Sequence, residues 1–423
     1  MSPLAATPVV RTLHIDRLAA GGDGVARDDG LVVFVPRTAP GDVVEAAVLH
    51  DGKARFARGA LVRVLDPSAA RVAPPCAHYV HDACGGCQLQ HLSYPAQVHA
   101  KAAIVADAFR RIARREVHVP TVHAAPHPWH YRRKLTLALR PSGRPTEPWR
   151  AGLHAHDDPD RVFTLADCAL AEPAVMDAWR AILRAGRHLP DAPALRASVR
   201  RLDEGVALVV EGGDTWREAD VAALADAVPV LRAAWWVPAG GRRRLVFDGR
   251  GGAEPGASFV QVNPAMHDVL LADVVARVLG HAPRTVVDAY AGAGDAAVAL
   301  ARAGVRVTAL EADADAVTHA AARLSSPSEA RLGLVERLLP DALPADVVLL
   351  NPPRAGCDAA GPAALVAASP RPRAVLYVSC DPATLARDVA RLAGWRIAHL
   401  ACYDMFPQTA HVETLCELVP EAA

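Results

Sequence analysis

Cys380 closes an apolar run, Ala374-Val375-Leu376-Tyr377-Val378, and stands just before Asp381-Pro382. The run reads as a short buried strand, rich in β-branched and aromatic residues. Pro382 cannot join a ladder and holds Asp381 extended, so the strand ends there. A helix follows through Leu385, Val389 and Leu392, with Thr384 placed to cap it. Ligands of open α/β sheets bind beyond the carboxyl ends of the strands, so this thiol is aimed at a reactive position. A structural role is the commoner fate of a free cysteine, and a partner is needed to decide. Glu413 lies in the apolar part of "DMFPQTAHVETL" (404–415). A lone Glu in a strand is ordinarily a surface acid. Beside a nucleophilic thiol, burial would raise its pKa and fit it for proton transfer.

A second group of residues suits a nucleotide-like ligand. "TVVDAYAGAGDAAVALA" (285–301) reads as strand, glycine-rich turn and helix, with Asp288 at the strand end and the helix starting near Asp295. Gly292 and Gly294 let the backbone approach a ligand closely. The next strand, in "RVTALEADADAV" (306–317), ends in Glu311, a carboxylate placed for a ribose diol. The pattern Gly292-x-Gly294-x-x-Ala297 also approximates a dinucleotide fingerprint, so a nicotinamide cofactor and S-adenosylmethionine compete here. "ADVVLLNPPRAGCD" (345–358) favours the second: Asn351 offers donors and acceptors at a strand tip, and Pro352 and Pro353 stiffen a wall beside it. Such a motif goes with methyl transfer to planar nitrogen or carbon centres.

A third group is "CAHYVHDACGGCQLQHLSY" (76–94), with Cys76, Cys84 and Cys87 in a C-x7-C-x2-C pattern. Cys168 in "LADCAL" is the candidate fourth ligand. Four thiolates suit zinc or an iron–sulfur cluster equally, and the spacing does not choose. His78, His81 and His91 read as solvated loop histidines, and Cys357, Cys402 and Cys416 as structural thiols.

The elements that position these groups follow from the rest of the chain. With 423 residues, 52% of them hydrophobic, the chain is globular and long enough for two or three domains. No apolar run spans about 18 residues without charge, and the N-terminus lacks the basic-then-apolar pattern of a signal peptide. A cytoplasmic protein with no membrane segment and no obligate protein partner is expected, its eight cysteines free, metal-bound or catalytic. Net charge is zero, but residues 101–150 hold eleven Lys or Arg (Lys101 among them) against three acids. Phosphate binding is expected there. Residues 8–66 alternate short apolar strands with turn signals, as a small β-barrel does. From about 120 to 255 the signals are mixed α/β, and beyond 256 strand and helix alternate as in a doubly wound parallel sheet. The expected division is 1–67, 68–255 and 256–423.

Thiol, base and methyl donor together define a reaction. The C5 of uracil is a poor nucleophile. A thiolate added to C6 makes C5 enolate-like and able to attack a methyl sulfonium, after which a base must remove the C5 proton. Five segments in order resemble the motifs of the bacterial RNA uracil-C5 methyltransferase family: Phe259-Val260-Gln261-Val262-Asn263, Asp288 to Gly294, Asn351-Pro352-Pro353-Arg354-Ala355-Gly356, Tyr377 to Asp388, and Phe406 to Glu413. The resemblance implies Cys380 as the nucleophile and Glu413 as the base, with Gln261, Tyr290, Glu311 and Asn351 at positions that hold S-adenosylmethionine. It departs at Asn351, where the family usually has Asp, which removes a charge but keeps the hydrogen-bonding shape. "GGDGVARDDGLVVFVPRTAPGDVVEA" resembles the TRAM domain, an OB-like RNA-binding barrel, and the C-terminal part is then a Rossmann-like methyltransferase domain. Family members sharing "CGGCQLQHLSY" carry a [4Fe–4S] cluster, which the resemblance assigns to Cys76, Cys84, Cys87 and Cys168; the first gap is longer than is common. Large-subunit (23S) ribosomal RNA is the favoured substrate, with transfer RNA as the alternative. Two other classes compete: an iron–sulfur oxidoreductase using a dinucleotide, and an RNA-binding protein without activity.

Overall fold

The computed structural model describes residues 8–50, 54–250 and 261–421. Three sheets organise the described residues. The first has six strands between Val9 and Asp66. Along Val43–Leu49 burial alternates, with Val44, Ala46 and Val48 turned inward as the two-residue period of a strand requires. They meet Leu13, Ile15, Val33, Val35 and Ala57 in one small core, so the sheet wraps on itself. The turn signal at Asp51-Gly52 and the segment Phe259-Val260 lie largely or wholly outside the described residues.

The second sheet has seven strands between Lys134 and Asp248. Leu135, Leu137 and Leu139 on one strand and Leu195, Ala197 and Val199 on its antiparallel neighbour share a face. The helices Pro173–Arg184 and Glu218–Ala227 cover that face, and Trp179 is fully buried beneath them.

The third sheet carries the chemistry. Its strands are β1 (Thr121–His123), β2 (Thr285–Ala289), β3 (Arg306–Glu311), β4 (Glu329–Leu332), β5 (Val347–Leu350), β6 (Ala374–Ser379), β7 (Trp395–Tyr403) and β8 (Glu413–Pro420), in the order β4-β3-β2-β5-β6-β8-β7-β1. The strands β4 to β6 are parallel, and β8 is antiparallel to both β6 and β7. Every residue of β5 and β6 is buried, the mark of a strand covered on both faces. Val287, Leu350 and Tyr377 face one core and Val286, Leu349 and Leu376 the other. The helices α1 (Tyr94–Ala108), α2 (Pro264–Gly280), α3 (Asp295–Arg302), α4 (Ala314–Arg323) and α5 (Pro382–Ala390) are the ones that matter below. Among the described residues, no helix is long and apolar enough to cross a membrane.

Three expectations change. Residues 68–255 are not one unit. Val105 and Phe109, at the end of α1 and just beyond it, pack into the core of the third sheet, and β1 extends that sheet by pairing with β7. The basic stretch 101–150 is not one surface either. Lys101 is 0% exposed and bonds Asp404 Oδ1 at 2.5 Å and the Phe406 carbonyl at 3.0 Å. A helix position facing a core receives its charge only if a counter-charge waits there, which local composition does not reveal. Finally, Asp381 and not Thr384 caps α5: its Oδ1 accepts from the Ala383 and Thr384 amides, each at 2.9 Å, while Thr384 Oγ1 donates back to the Asp381 carbonyl. The carboxylate outcompetes the hydroxyl because it accepts two amides at once.

Candidate active site

The register of β6 against β8 builds the centre of the site. Val378 pairs with Leu415 and Ser379 with Thr414, so one further step sets Cys380 beside Glu413. Antiparallel neighbours of this kind stand roughly 5 Å apart at Cα. Cys380 is half-buried at the strand tip, and Glu413 is 2% exposed. Burial raises the Glu413 carboxyl to about 7, with the Arg354 guanidinium pulling it down. Burial also raises the Cys380 thiol. The charge of Glu413 adds to that, whereas Arg354, in hydrogen-bonding reach of the sulfur, favours the thiolate. Thiol, acid and cation thus come from three separate segments. The local sequence around Arg354 shows no role for it; its position two residues beyond Pro352 at a strand tip is its one signal. His411 was also missed. Burial and the charge of Arg354 lower it to about 4, so it is neutral at ordinary pH, and its ring lies edge-on to Phe406 at 5.9 Å.

The segment that leads to Glu413 is latched from outside the parallel strands. Gln97 of α1 bonds Gln408 in both directions, at 2.9 and 3.0 Å. The Gln88 and Leu89 amides donate to the Gln408 carbonyl, Tyr131 Oη donates to the Pro407 carbonyl, and Lys101 holds Asp404. Gln88 follows Cys87 directly, so the cysteine segment and the approach to the acid share one hydrogen-bonded network.

Beside this centre lies the glycine-rich turn. Gly292 has φ +55° and a Cβ there would meet nothing within 4 Å, so the backbone faces open space. Gly294 is also left-handed, and a Cβ there would strike Ala320 Cβ at 2.7 Å, so close packing on α4 demands glycine. Glu311 ends β3 and grips the turn: Oε2 accepts from the Gly292 amide at 2.8 Å, and Oε1 from the Ala312 and Asp313 amides. Tyr290 is half-buried at φ +61°, with its phenol raised by burial and by Cys357. Asn351 is exposed at the end of β5, and its backbone amide donates to the Ala289 carbonyl. Asp288 is fully buried, is raised to about 7 by burial, and has an unpartnered Oδ2. A buried carboxyl with the Ala297 amide as one partner and one oxygen left over, beside a glycine-lined turn, suits a ligand that supplies a donor. Gln261 is half-buried two residues ahead of Asn263, the cap of α2. Among the described residues no hydrogen bond joins it to the turn.

Cys76, Cys84, Cys87 and Cys168 line one cavity of about 200 Å³ with Arg132. Burial raises Cys84 to about 11 and Cys87 to about 12, and Cys168 moves the same way; each also feels the charge of another cysteine of the set. Soft donors gathered in one cavity suit a thiophilic metal group. The arrangement stops short of a coordination shell: among the described residues, no three His, Cys, Asp or Glu stand as a metal-ready group. The neighbouring histidines are not all solvated. His91 is buried against Tyr79 Oη at 2.8 Å, and His78 joins Asp82 to the Ala166 amide.

A doubly wound sheet with a glycine-rich turn, an acid ending the second strand of the fold and a thiol with a buried acid at adjacent strand tips defines a methyltransferase of the Rossmann type. Comparison with known proteins narrows the class. Residues 335–419 match the family model described as tRNA (Uracil-5-)-methyltransferase, and residues 10–62 match that of the TRAM domain. The chain is 35% identical to the 23S rRNA (uracil(1939)-C(5))-methyltransferase RlmD of Halomonas elongata, covering 96% of this chain and 88% of that protein. It is 34% identical to the enzyme of that name from Chromohalobacter salexigens, covering 95% and 88%. The chain belongs to the S-adenosylmethionine-dependent RNA uracil-C5 methyltransferase family. The fold also matches the Pyrococcus abyssi tRNA (uracil-54, C5)-methyltransferase in complex with S-adenosyl-L-homocysteine, with a TM-score of 0.68 at 21% identity, over 97% of this chain and all of that one.

Proposed function

We propose that the chain methylates C5 of one uridine in RNA by covalent catalysis through Cys380. The juxtaposition of Cys380 and Glu413 across β6 and β8, with Arg354 beside the thiol, is the observation that carries this reading. The Cys380 sulfur adds to C6, forming an S–C6 bond and moving the C5–C6 π electrons toward O4. C5 then takes the methyl group from the sulfonium, releasing S-adenosylhomocysteine. Glu413, ionised above about pH 7, removes the C5 proton. The electrons freed re-form the C5–C6 double bond and expel the thiolate, so no oxidant or reductant is consumed. Arg354 stabilises the thiolate at both ends of the cycle. The target base must leave its stack to reach a half-buried thiol.

In this reading Gln261, Tyr290, Glu311 and Asn351 hold S-adenosylmethionine, the role of Glu311 being shared with its clamp on the turn. Asp288 joins them through its free Oδ2. Cys76, Cys84, Cys87 and Cys168 hold a [4Fe–4S] cluster that stiffens the segment latched to Gln408. Residues 1–67 bind RNA, the part of 68–255 outside α1 and β1 carries the cluster and further RNA contacts, and 256–423 together with α1 and β1 carry out methyl transfer, in the cytoplasm. Large-subunit ribosomal RNA is the favoured substrate, supported by the relatives that match nearly the whole chain.

The test is to incubate anaerobically purified protein with S-adenosylmethionine and either transfer RNA or a large-subunit fragment, then digest and detect 5-methyluridine by mass spectrometry. Product on the ribosomal fragment alone is expected. With 5-fluorouracil RNA the protein should form an adduct that Cys380→Ala does not, and an adduct surviving in that variant would remove Cys380 from the mechanism.

A further inference from the structure

The edge of the third sheet opposite the catalytic tips carries a cleft of about 1000 Å³, lined by six arginines and one carboxylate, Asp346. Two of the six are engaged: Arg323 bonds Asp295 at 2.9 Å and Arg373 bonds Asp346 at 3.1 Å. Arg284, Arg302, Arg306 and Arg371 are exposed and form no ion pair or side-chain hydrogen bond among the described residues. In a chain whose net charge is zero, four uncompensated guanidiniums in one concavity make a local positive field.

Helix carboxyl ends gather at this edge, and cations there offset the helix dipole. That accounts for Arg302, in the last turn of α3. It does not account for Arg284 and Arg371, in loops before β2 and β6, or for Arg306, the first residue of β3. The guanidinium fork matches a phosphate's paired oxygens, and the hydroxyls of Ser325 and Ser326 in the same wall add donors of the kind that contact nucleic-acid backbones. The cleft lies a strand's length, roughly 20 Å, from Cys380. It is therefore separate from the site that holds the target base.

We infer that this cleft holds backbone phosphates of the RNA substrate, at a segment remote from the uridine being methylated. The inference rests on RNA being the substrate. A long folded RNA that reaches round the domain gains affinity from the cleft, whereas a short hairpin that fills only the Cys380 site does not.

The experiment compares wild type with Arg284→Gln/Arg302→Gln/Arg306→Gln/Arg371→Gln, and with the corresponding quadruple Lys variant, in fluorescence-anisotropy titrations over a range of salt. The probes are a long large-subunit RNA fragment and a short hairpin carrying the target uridine. The Gln variant should bind the long RNA at least tenfold more weakly and lower the magnitude of its log–log salt slope by about 3, at roughly 0.7–0.9 for each phosphate lost. Hairpin binding, S-adenosylmethionine binding and the melting curve should be unchanged, and the Lys variant should keep most of the slope. An unchanged slope and affinity for long RNA in the Gln variant overturns the inference. So does loss of polyglutamate binding with RNA binding intact, which would give the cleft to an acidic protein. A changed slope without any 5-methyluridine product would uphold the cleft and overturn the reaction assigned to Cys380.

Discussion

Cys380 and the four-cysteine cavity begin from the same physics and end in different chemistry. Burial is the first cause of the raised pKa at Cys380, Cys84, Cys87 and Cys168 alike. The neighbours then differ. Cys380 stands at a strand tip with one cation and one titratable acid, an arrangement that lets a single thiolate form, attack and leave. Cys84, Cys87 and Cys168 each feel another cysteine of the set, which opposes the thiolate, and an arginine, Arg37 or Arg132, which favours it. Desolvation alone therefore does not distinguish Cys380 from the cavity thiols; the neighbouring charges do.

The comparison can be broken most sharply at Cys380. Cys380→Ala should abolish 5-methyluridine formation in a mass-spectrometric assay while leaving the absorbance of the four-cysteine site unchanged. Glu413→Gln should follow, with turnover lowered by about 10²–10⁴ and the RNA adduct accumulating on denaturing gels. The same variant has a signature in stability. A carboxyl raised from 4.5 to about 7 on folding holds a proton that the unfolded chain releases. Stability accordingly falls as pH rises from about 4.5 to 7, and the full cost remains above 7. Glu413→Gln should thus be more stable than wild type at pH 8, by roughly 3 kcal/mol, and equal to it near pH 4. Turnover in wild type should drop below about pH 7, where the base is protonated.

Lys101→Met tests the latch that both regions share. It leaves Asp404 charged and buried without a partner, which should cost about 3–5 kcal/mol in a denaturant titration. Lys101→Met/Asp404→Asn should recover most of that loss. Cys84→Ser should lower bound iron and the melting temperature of anaerobically purified protein, and leave the pH profile of turnover in place; a shifted profile would mean that the cavity tunes Cys380 directly. The smallest effect is expected from Asn351→Asp. At an exposed strand tip one added charge should change S-adenosylmethionine affinity by about two- to fivefold in calorimetry.

Much of the site was legible because its signals are local. A strand ending before Asp-Pro, a glycine pair ahead of a helix and an acid at the end of the next strand are each written within a dozen residues. Cys380, Gly292, Gly294 and Glu311 fall where such patterns put them. Burial of Glu413 was less visible, since a lone Glu in a strand is read as a surface acid until its pairing partner is known. The basic region misled for a similar reason. Lys101 contributes to a local charge count, yet its counter-ion is 303 residues away.

The sequence by itself determined the strand and turn chemistry of each motif, because backbone preference and residue type act over short spans. Tertiary structure alone decided that Cys380 meets Glu413 and Arg354, that α1 and β1 join the third sheet, that Gln88 latches the approach to the acid, and that four arginines share one cleft. Those facts depend on sheet register and on charges brought together across hundreds of residues, and a chain acquires such neighbours only when burying its apolar faces fixes which strands lie side by side.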